Sequence, residues 1–149
     1  MSKLLEKHDE ALAAYDRALE FDKHRDKDWI LLGRAKVLAR KGMHKEAAEL
    51  ARPIVAKKDI YDSNRYEAAG LYSVAAATVN KDSQLTQTEK KLLADQYANE
   101  ALSLLEKLVE RNYFKTPGRR NHLPVDKDFE SIRGRKEFQS ILRSIETGK

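Results

Sequence analysis

The sequence predicts an all-α fold, in which antiparallel helix pairs form a right-handed stack closed by a C-terminal capping helix. One short pattern occurs three times, and each copy opens an amphipathic helical stretch. The copies are Asp9-Glu10-Ala11, Lys45-Glu46-Ala47 and Asn99-Glu100-Ala101. The first two copies lie 36 residues apart, close to the period of a helix-turn-helix repeat. No stretch alternates apolar and polar residues for long enough to require a strand.

Composition limits the class of protein. The chain has 149 residues, of which 41% are hydrophobic and 36% are charged, as expected of a single folded domain. It has no cysteine, which excludes disulfides and thiolate sites. No apolar run approaches the roughly 20 residues that span a bilayer, so we expect no membrane partner and a cytoplasmic location. The net charge of +5 comes from residues 111–149, which carry ten basic and five acidic residues.

The first half of the chain predicts three helices. Apolar residues at helical spacing define the first over residues 9–22 and the second over 28–39. Gly42 ends the second helix, because glycine readily adopts the positive φ that follows many helices. The third helix starts near His44 and meets Pro53, which should kink or shorten it.

The second half predicts three more helices. Asn64 and Glu67 are a candidate cap for a helix over residues 65–79, and the polar stretch 80–87 is a loop. Thr86 and Glu89 form a capping-box pair that starts a long helix to about residue 111. Residues 116–124 predict a loop, 129–132 a turn, and 135–145 a last helix.

These elements predict one domain over residues 1–149. It comprises a half repeat (9–22), a repeat (28–58), an extended repeat with the inserted loop (64–111) and a C-terminal cap (126–146). A motif that pairs Trp29 with Gly33 is echoed 37 residues later by Tyr66 and Gly70. Small residues at such positions let neighbouring helices approach closely.

These spacings resemble the tetratricopeptide repeat (TPR), whose pattern is W-x2-L-G, a turn glycine and a small residue opening the second helix. The matching residues are Trp29, Leu32, Gly33, Gly42 and Ala47, with Ala101 opening a later copy. Residues 9–22 resemble a second TPR helix with nothing before them long enough to be the first. The resemblance therefore implies that the chain begins within a repeat.

Residues 29–146 are similar to C-terminal repeat regions of planctomycete-type bacterial serine/threonine protein kinases. That family carries a terminus of the form D-x-D-(L/F)-x-x-(L/I)-R-x-x-x-x-F. The matching residues are Asp126, Asp128, Phe129, Ile132, Arg133 and Phe138. The resemblance implies a non-catalytic module of a kinase-linked signalling protein. The apolar residues of the terminus are expected to cover the open end of the last helix pair; they are Phe129, Ile132, Phe138, Ile141 and Leu142.

Two sets of residues form stripes along predicted first helices of a pair. One set is Trp29, Gly33, Lys36 and Arg40, and the other is Tyr66, Gly70, Ser73 and Ala77. In one helix register these stripes line a groove, where an aromatic ring and two cations suit an acidic peptide. In the alternative register, Trp29 and Gly33 are packing residues. The partner-binding hypothesis rests on Trp29, Lys36, Arg40, Tyr66 and Ser73.

Other kinds of site have weaker support. Asp126, Asp128, Glu130 and Glu137 echo a calcium loop, but Ser131 replaces its glycine, so helix capping by Asp126 or Asp128 is favoured. The four histidines are scattered, as surface histidines are, and predict no metal site.

We find no catalytic or phosphate-binding motif, and therefore expect no enzyme activity, cofactor or small-molecule substrate. The remaining alternatives are a basic nucleic-acid-binding domain and a structural module that packs on its parent protein.

Overall fold

The computed structural model describes residues 3–21 and 27–147, and within them the chain is all-helical with no strand. The α-helices of this part are α1 (Lys3–Phe21), α2 (Lys27–Arg40), α3 (His44–Val55), α4 (Asp62–Thr78), α5 (Gln87–Glu110), α6 (Pro117–His122) and α7 (Lys136–Thr147). Short 3-10 turns occupy Val79–Lys81, Tyr113–Lys115, Leu123–Val125 and Lys127–Phe129. None of the described helices is both long and apolar enough to cross a membrane.

Helices packed in series build the core. α1 packs on α2, α2 packs on α3 and α4, and α4 in turn packs on α3 and α5. α7 lies against α5. The largest side chains that this arrangement buries almost completely are Tyr72, Tyr97, Phe129, Phe138, Leu32, Leu71, Leu105 and Leu108. The pattern alanines Ala47 and Ala101 are completely buried. Their small side chains allow the adjacent helices to pack closely.

Several local predictions are confirmed. Gly42 has φ +91°, a conformation that side chains with a Cβ rarely adopt, and the second helix ends just before it. Thr86 and Glu89 form the predicted capping box: the Thr86 backbone N–H donates to Glu89 Oε1 at 2.9 Å, and Glu89 N–H donates to Thr86 Oγ1 at 3.1 Å. Pro53 lies in the last turn of α3, which ends at Val55.

Three predictions about helix ends are wrong. The predicted loop over residues 116–124 contains α6, whose first residue is Pro117, because the fixed φ of proline suits the start of a helix. α4 begins at Asp62 with Tyr61 before it, so Asn64 is a buried residue within the helix and does not cap it. α1 begins at Lys3, before the predicted start at residue 9. Residue 22, the predicted end of that half repeat, lies outside the described residues.

The C-terminal region is tightly packed. Phe129, Ile132 and Phe138 are fully inaccessible to solvent, and Ile141 and Ile145 of α7 are also buried. Phe129 and Phe138 are ring neighbours, with centroids 5.9 Å apart. These side chains connect the 3-10 turn at residues 127–129 and α7 to the rest of the core.

Candidate binding face on α2 and α4

The packing of α2 on α4 brings the two predicted stripes together. We call the combined surface the stripe face; it consists of Trp29, Gly33, Lys36 and Arg40 on α2 and Tyr66, Gly70, Ser73 and Ala77 on α4. Residues 126–131, which we call the acidic segment, lie against this face. The predicted surface for an acidic peptide is therefore in contact with an acidic part of the same chain.

Asp128 is the main ionic contact of the acidic segment. Its Oδ2 accepts from Lys36 Nζ at 2.9 Å, and its Oδ1 accepts from Arg40 Nη2 at 2.8 Å. Lys36 Nζ also lies 2.6 Å from Glu67 Oε1 on α4. Two cations and two carboxylates thus connect α2, α4 and the acidic segment.

Asp126 binds the neighbouring turn of α4. The Tyr66 hydroxyl donates to Asp126 Oδ2 at 2.6 Å, while Asp126 Oδ1 accepts from the Asp128 backbone N–H at 3.0 Å. The second contact makes Asp126 the N-cap of the 3-10 turn, so the predicted capping role is confirmed. Arg133 Nη2 donates to the Asp126 carbonyl at 2.7 Å and supports the same turn from the C-terminal side.

Ser131 provides the third contact. Its hydroxyl donates to the Ser73 carbonyl at 2.7 Å, and the two serine Oγ atoms lie 3.1 Å apart. Between these contacts, a Cβ added to Gly70 would lie only 3.2 Å from Asp128 Oδ2. The acidic segment therefore follows α4 from Tyr66 to Ser73, and glycine at position 70 leaves the space that Asp128 occupies.

The ionic contacts favour the charged forms of Asp128 and Lys36. Burial by itself would raise the pKa of Asp128, but Lys36 and Arg40 offset burial and hold that pKa below its ordinary value. Burial would likewise lower the pKa of Lys36, but Glu67 and Asp128 raise it above its ordinary value. Burial and the hydrogen bond to Asp126 together raise the pKa of the Tyr66 hydroxyl. Tyr66 is therefore a neutral donor at physiological pH.

The stripe face is covered at one end and open at the other. The side chains of Lys36 and Asp128 are only 14% and 16% exposed, and Ser73 is buried. Trp29, seven residues before Lys36 on the same helix, is 44% exposed. Gly33 is a packing residue, since a Cβ there would lie 2.6 Å from the Tyr15 ring of α1. The structure thus combines features of both registers that the sequence left open.

Sequence reasoning missed a buried polar cluster. The prediction that the histidines lie at the surface is wrong for His44, which is 2% exposed. Its Nδ1 lies 2.9 Å from the Tyr97 hydroxyl and its Nε2 lies 2.9 Å from Asp82 Oδ2. The hydrogen bond to His44 is the main cause of a lowered Asp82 pKa. In the sequence, only the position of His44 at the start of a helix, next to a turn, indicated a structural role for this residue. Another of the four histidines, His24, lies outside the described residues.

Two further hollows are not lined by residues of the acidic segment. A groove of about 750 Å³ runs between α3 and α5 over Tyr72, with Leu92 at its rim. A second hollow, of about 740 Å³, lies at the α2–α3 turn and is lined by Arg40, Lys45 and Lys81 among others. Within the described part of the chain, no group of three or more His, Asp and Glu side chains is placed to hold a metal ion.

Comparison with known proteins found no matching family model, no matching curated protein and no matching solved structure. The geometry of the stripe face is therefore the basis for a functional proposal.

Proposed function

We propose that the chain is a non-catalytic protein-interaction or scaffolding module of a kinase-linked, cytoplasmic signalling protein. In this proposal, α1 to α5 form about two and a half TPR-like helix pairs in a right-handed stack, and the C-terminal region caps them. The observation that supports a binding role is the set of contacts between the stripe face and the acidic segment. A face chosen from sequence as suited to an acidic peptide contacts two aspartates through two cations and a tyrosine.

The chemistry of the stripe face favours binding over catalysis. Lys36 is paired with two carboxylates, and the Tyr66 hydroxyl is engaged by Asp126. Such groups orient and neutralise a bound carboxylate, since charge-assisted hydrogen bonds are among the stronger polar contacts in proteins. A general base would need a free proton acceptor within reach of a substrate. The groups of this face are instead donors and cations already paired with carboxylates.

The open end of the stripe face supplies the contact that we propose for a partner. Trp29 is half exposed there, and tryptophan is enriched among the residues that contribute most to interface affinity. It lies about 10 Å along α2 from Lys36, given the rise of an α-helix. Between the two, Gly33 is covered by the Tyr15 ring of α1, so a partner that covers Trp29 would bind beside the acidic segment on the same helix.

The proposal is tested by capture of protein partners on immobilised wild-type chain, Trp29→Ala and Tyr61→Ala. Tyr61 is the matched control, because it is a 72% exposed aromatic outside the stripe face. We expect Trp29→Ala to lose partners that wild type and Tyr61→Ala retain. Trp29 is also the chain's sole tryptophan, so its emission should shift when a purified partner binds. Equal capture by all three proteins would contradict the proposal.

A purely structural module is the second candidate, and one observation favours it. Phe129 and Ile132 are fully inaccessible to solvent, so the acidic segment is part of the hydrophobic core as well as a set of polar contacts. In that case the stripe face only holds the C-terminal region in place, and Trp29 is not needed to bind any separate protein. The capture experiment therefore separates the two candidates.

A further inference from the structure

The acidic segment makes a sequence-selective set of contacts. Asp126 and Asp128 are two residues apart and reach different helices: the first accepts from Tyr66 on α4 and the second from Lys36 and Arg40 on α2. Phe129 follows at once and enters the core. The two acidic positions thus meet different donors, and the aromatic residue is buried against Tyr66 and Phe138.

The carboxylate at position 130 lacks such a role. Glu130 is exposed and forms none of the hydrogen bonds or ion pairs that join the segment to the stripe face. Negative charge alone therefore does not describe what the face selects. The pattern that fits is Asp-x-Asp followed by an aromatic residue.

The first part of the connection to the acidic segment is exposed, whereas Leu123 farther along it is fully buried. Thr116, Pro117, Gly118 and Arg119 all lie at the surface, in the region between α5 and the segment. The covalent connection holds the segment near the stripe face at an effective concentration on the order of millimolar, which a separate peptide must exceed. The segment can thus occupy the face and exclude competitors even when its intrinsic affinity is moderate.

We propose that the acidic segment is an internal ligand, which keeps the stripe face closed to a protein partner that carries an Asp-x-Asp-aromatic segment of its own. This inference rests on the proposed function and names the chemistry of the partner. The partner's two carboxylates replace Asp126 and Asp128 on Tyr66, Lys36 and Arg40, and its aromatic ring replaces Phe129. Because Phe129 must leave the core, exchange is slow and the free chain is predominantly closed.

The first test uses the full chain carrying Asp126→Asn and Asp128→Asn, which weakens the internal ligand but leaves its receptor intact. A fluorescently labelled peptide of residues 124–134 is titrated in, and binding is followed by polarisation. We expect the variant to bind this peptide at least about tenfold more tightly than wild type does, because charge-assisted hydrogen bonds to the face are lost only in the variant's own segment.

Matched peptides and one receptor variant control for charge. A peptide with Glu130→Gln should bind as well as the native peptide, whereas one with Asp126→Asn and Asp128→Asn should bind at least about tenfold more weakly. Adding Arg40→Ala to the double-Asn chain should reduce peptide affinity, because Arg40 contacts Asp128. A folded double-Asn chain that binds no peptide, or binds all three alike, would overturn the inference.

A second measurement applies if the double-Asn chain does not fold. A protease site placed at the exposed Gly118 of the wild-type chain removes the covalent connection after cleavage, while both pieces remain associated. The labelled peptide of residues 124–134 should then exchange onto the cleaved protein, and the double-Asn peptide should not. No exchange over days with excess peptide would overturn the inference.

Three further outcomes distinguish a failure of the internal ligand from a failure of the proposed function. If the double-Asn chain forms dimers and ignores the peptide, the competing ligand is a second copy of this chain, and the inference of a separate partner is wrong. If the peptide experiments fail but capture still depends on Trp29, the proposed function stands without the internal ligand. If the peptide binds but no capture depends on Trp29, the proposed contact at the open end fails instead.

Discussion

Lys36 is the residue on which most of the polar organisation of the stripe face depends. It lies between Glu67 and Asp128, and all three side chains are less than one-fifth exposed. A cation in that position neutralises two nearby carboxylates, which would otherwise repel each other in a poorly solvated region. Arg40 also contacts Asp128, but its side chain is 39% exposed and therefore well screened by water.

Lys36→Ala should therefore lower the free energy of unfolding by about 3 kcal/mol, because it leaves the partly buried Glu67 without its cation and Asp128 with only the more exposed Arg40. Arg40→Ala should cost about 1 kcal/mol or less, as exposed ion pairs usually do. Urea unfolding of the two variants measures the difference. The sequence alone predicts that replacing both Lys36 and Arg40 by alanine leaves the stability nearly unchanged. The ion pairs of Lys36 in the structure predict instead that stability falls when Lys36 is replaced. Equal small effects from both variants would contradict the role assigned to Lys36.

Asp128 makes the free energy of unfolding depend on pH in the acidic range. Its pKa is held below the ordinary value in the folded state, so the unfolded chain takes up the proton first as pH falls. The contribution of Asp128 is complete above the unfolded-state pKa of about 3.9 and is lost as pH falls through the lower folded-state pKa. Asp128→Asn should therefore flatten the plot of unfolding free energy against pH below about pH 4. An unchanged slope in urea titrations at several pH values would rule this out.

Among the helices, α5 has the best-defined start. The capping box satisfies two backbone N–H groups that would otherwise lack partners at the helix N-terminus. α5 packs on α4 and α7, so its first turn connects the inserted polar stretch to the core. The sequence predicts this start because the capping box uses residues only three positions apart.

Thr86→Ala should lower the free energy of unfolding by about 1 kcal/mol, the usual cost of losing an N-cap side chain. Thr88→Ala is the matched control, since Thr88 is an exposed threonine of the same helical turn that does not cap it. The control should be neutral or slightly stabilising, because alanine has the higher helix propensity. Thermal unfolding of both proteins measures the effect, and a control as unstable as Thr86→Ala would contradict the capping account.

At the scale of the whole molecule, the acidic segment packs on α4 and α7 packs on α5. Phe129, Ile132 and Phe138 are completely buried, and each such side chain contributes roughly 1.5–3 kcal/mol relative to exposure. Their removal would also uncover the apolar surfaces of α4 and α5 that they contact. Large uncovered apolar patches promote association.

A chain truncated after residue 125 should therefore aggregate or form oligomers, whereas a chain ending at residue 147 should behave as the wild type does. Size-exclusion chromatography with light scattering distinguishes these results. A truncated chain that stays monomeric and unfolds at the wild-type temperature would show that the C-terminal region does not act as a cap.

The amino-acid sequence by itself determined the features that depend on neighbours a few residues apart. Helical periodicity fixed the all-α class, Gly42 fixed the end of α2, and Thr86 with Glu89 fixed the start of α5. The same periodicity placed Lys36 and Arg40 on one stripe of α2. Predicted element boundaries were wrong where the local pattern fits two structures. Pro117, for example, is typical both of a loop and of the first residue of a helix.

Only the tertiary structure decided which groups meet across the chain. Lys36 and Asp128 are 92 residues apart, and His44 and Tyr97 are 53 apart, so no local pattern specifies either pair. The sequence predicted an acidic ligand for the cations but not that residues 126–131 of the same chain would supply it. Chain folding brings the C-terminal segment back onto α2 and α4, because its aromatic residue is stabilised by burial and its aspartates meet positive charge there.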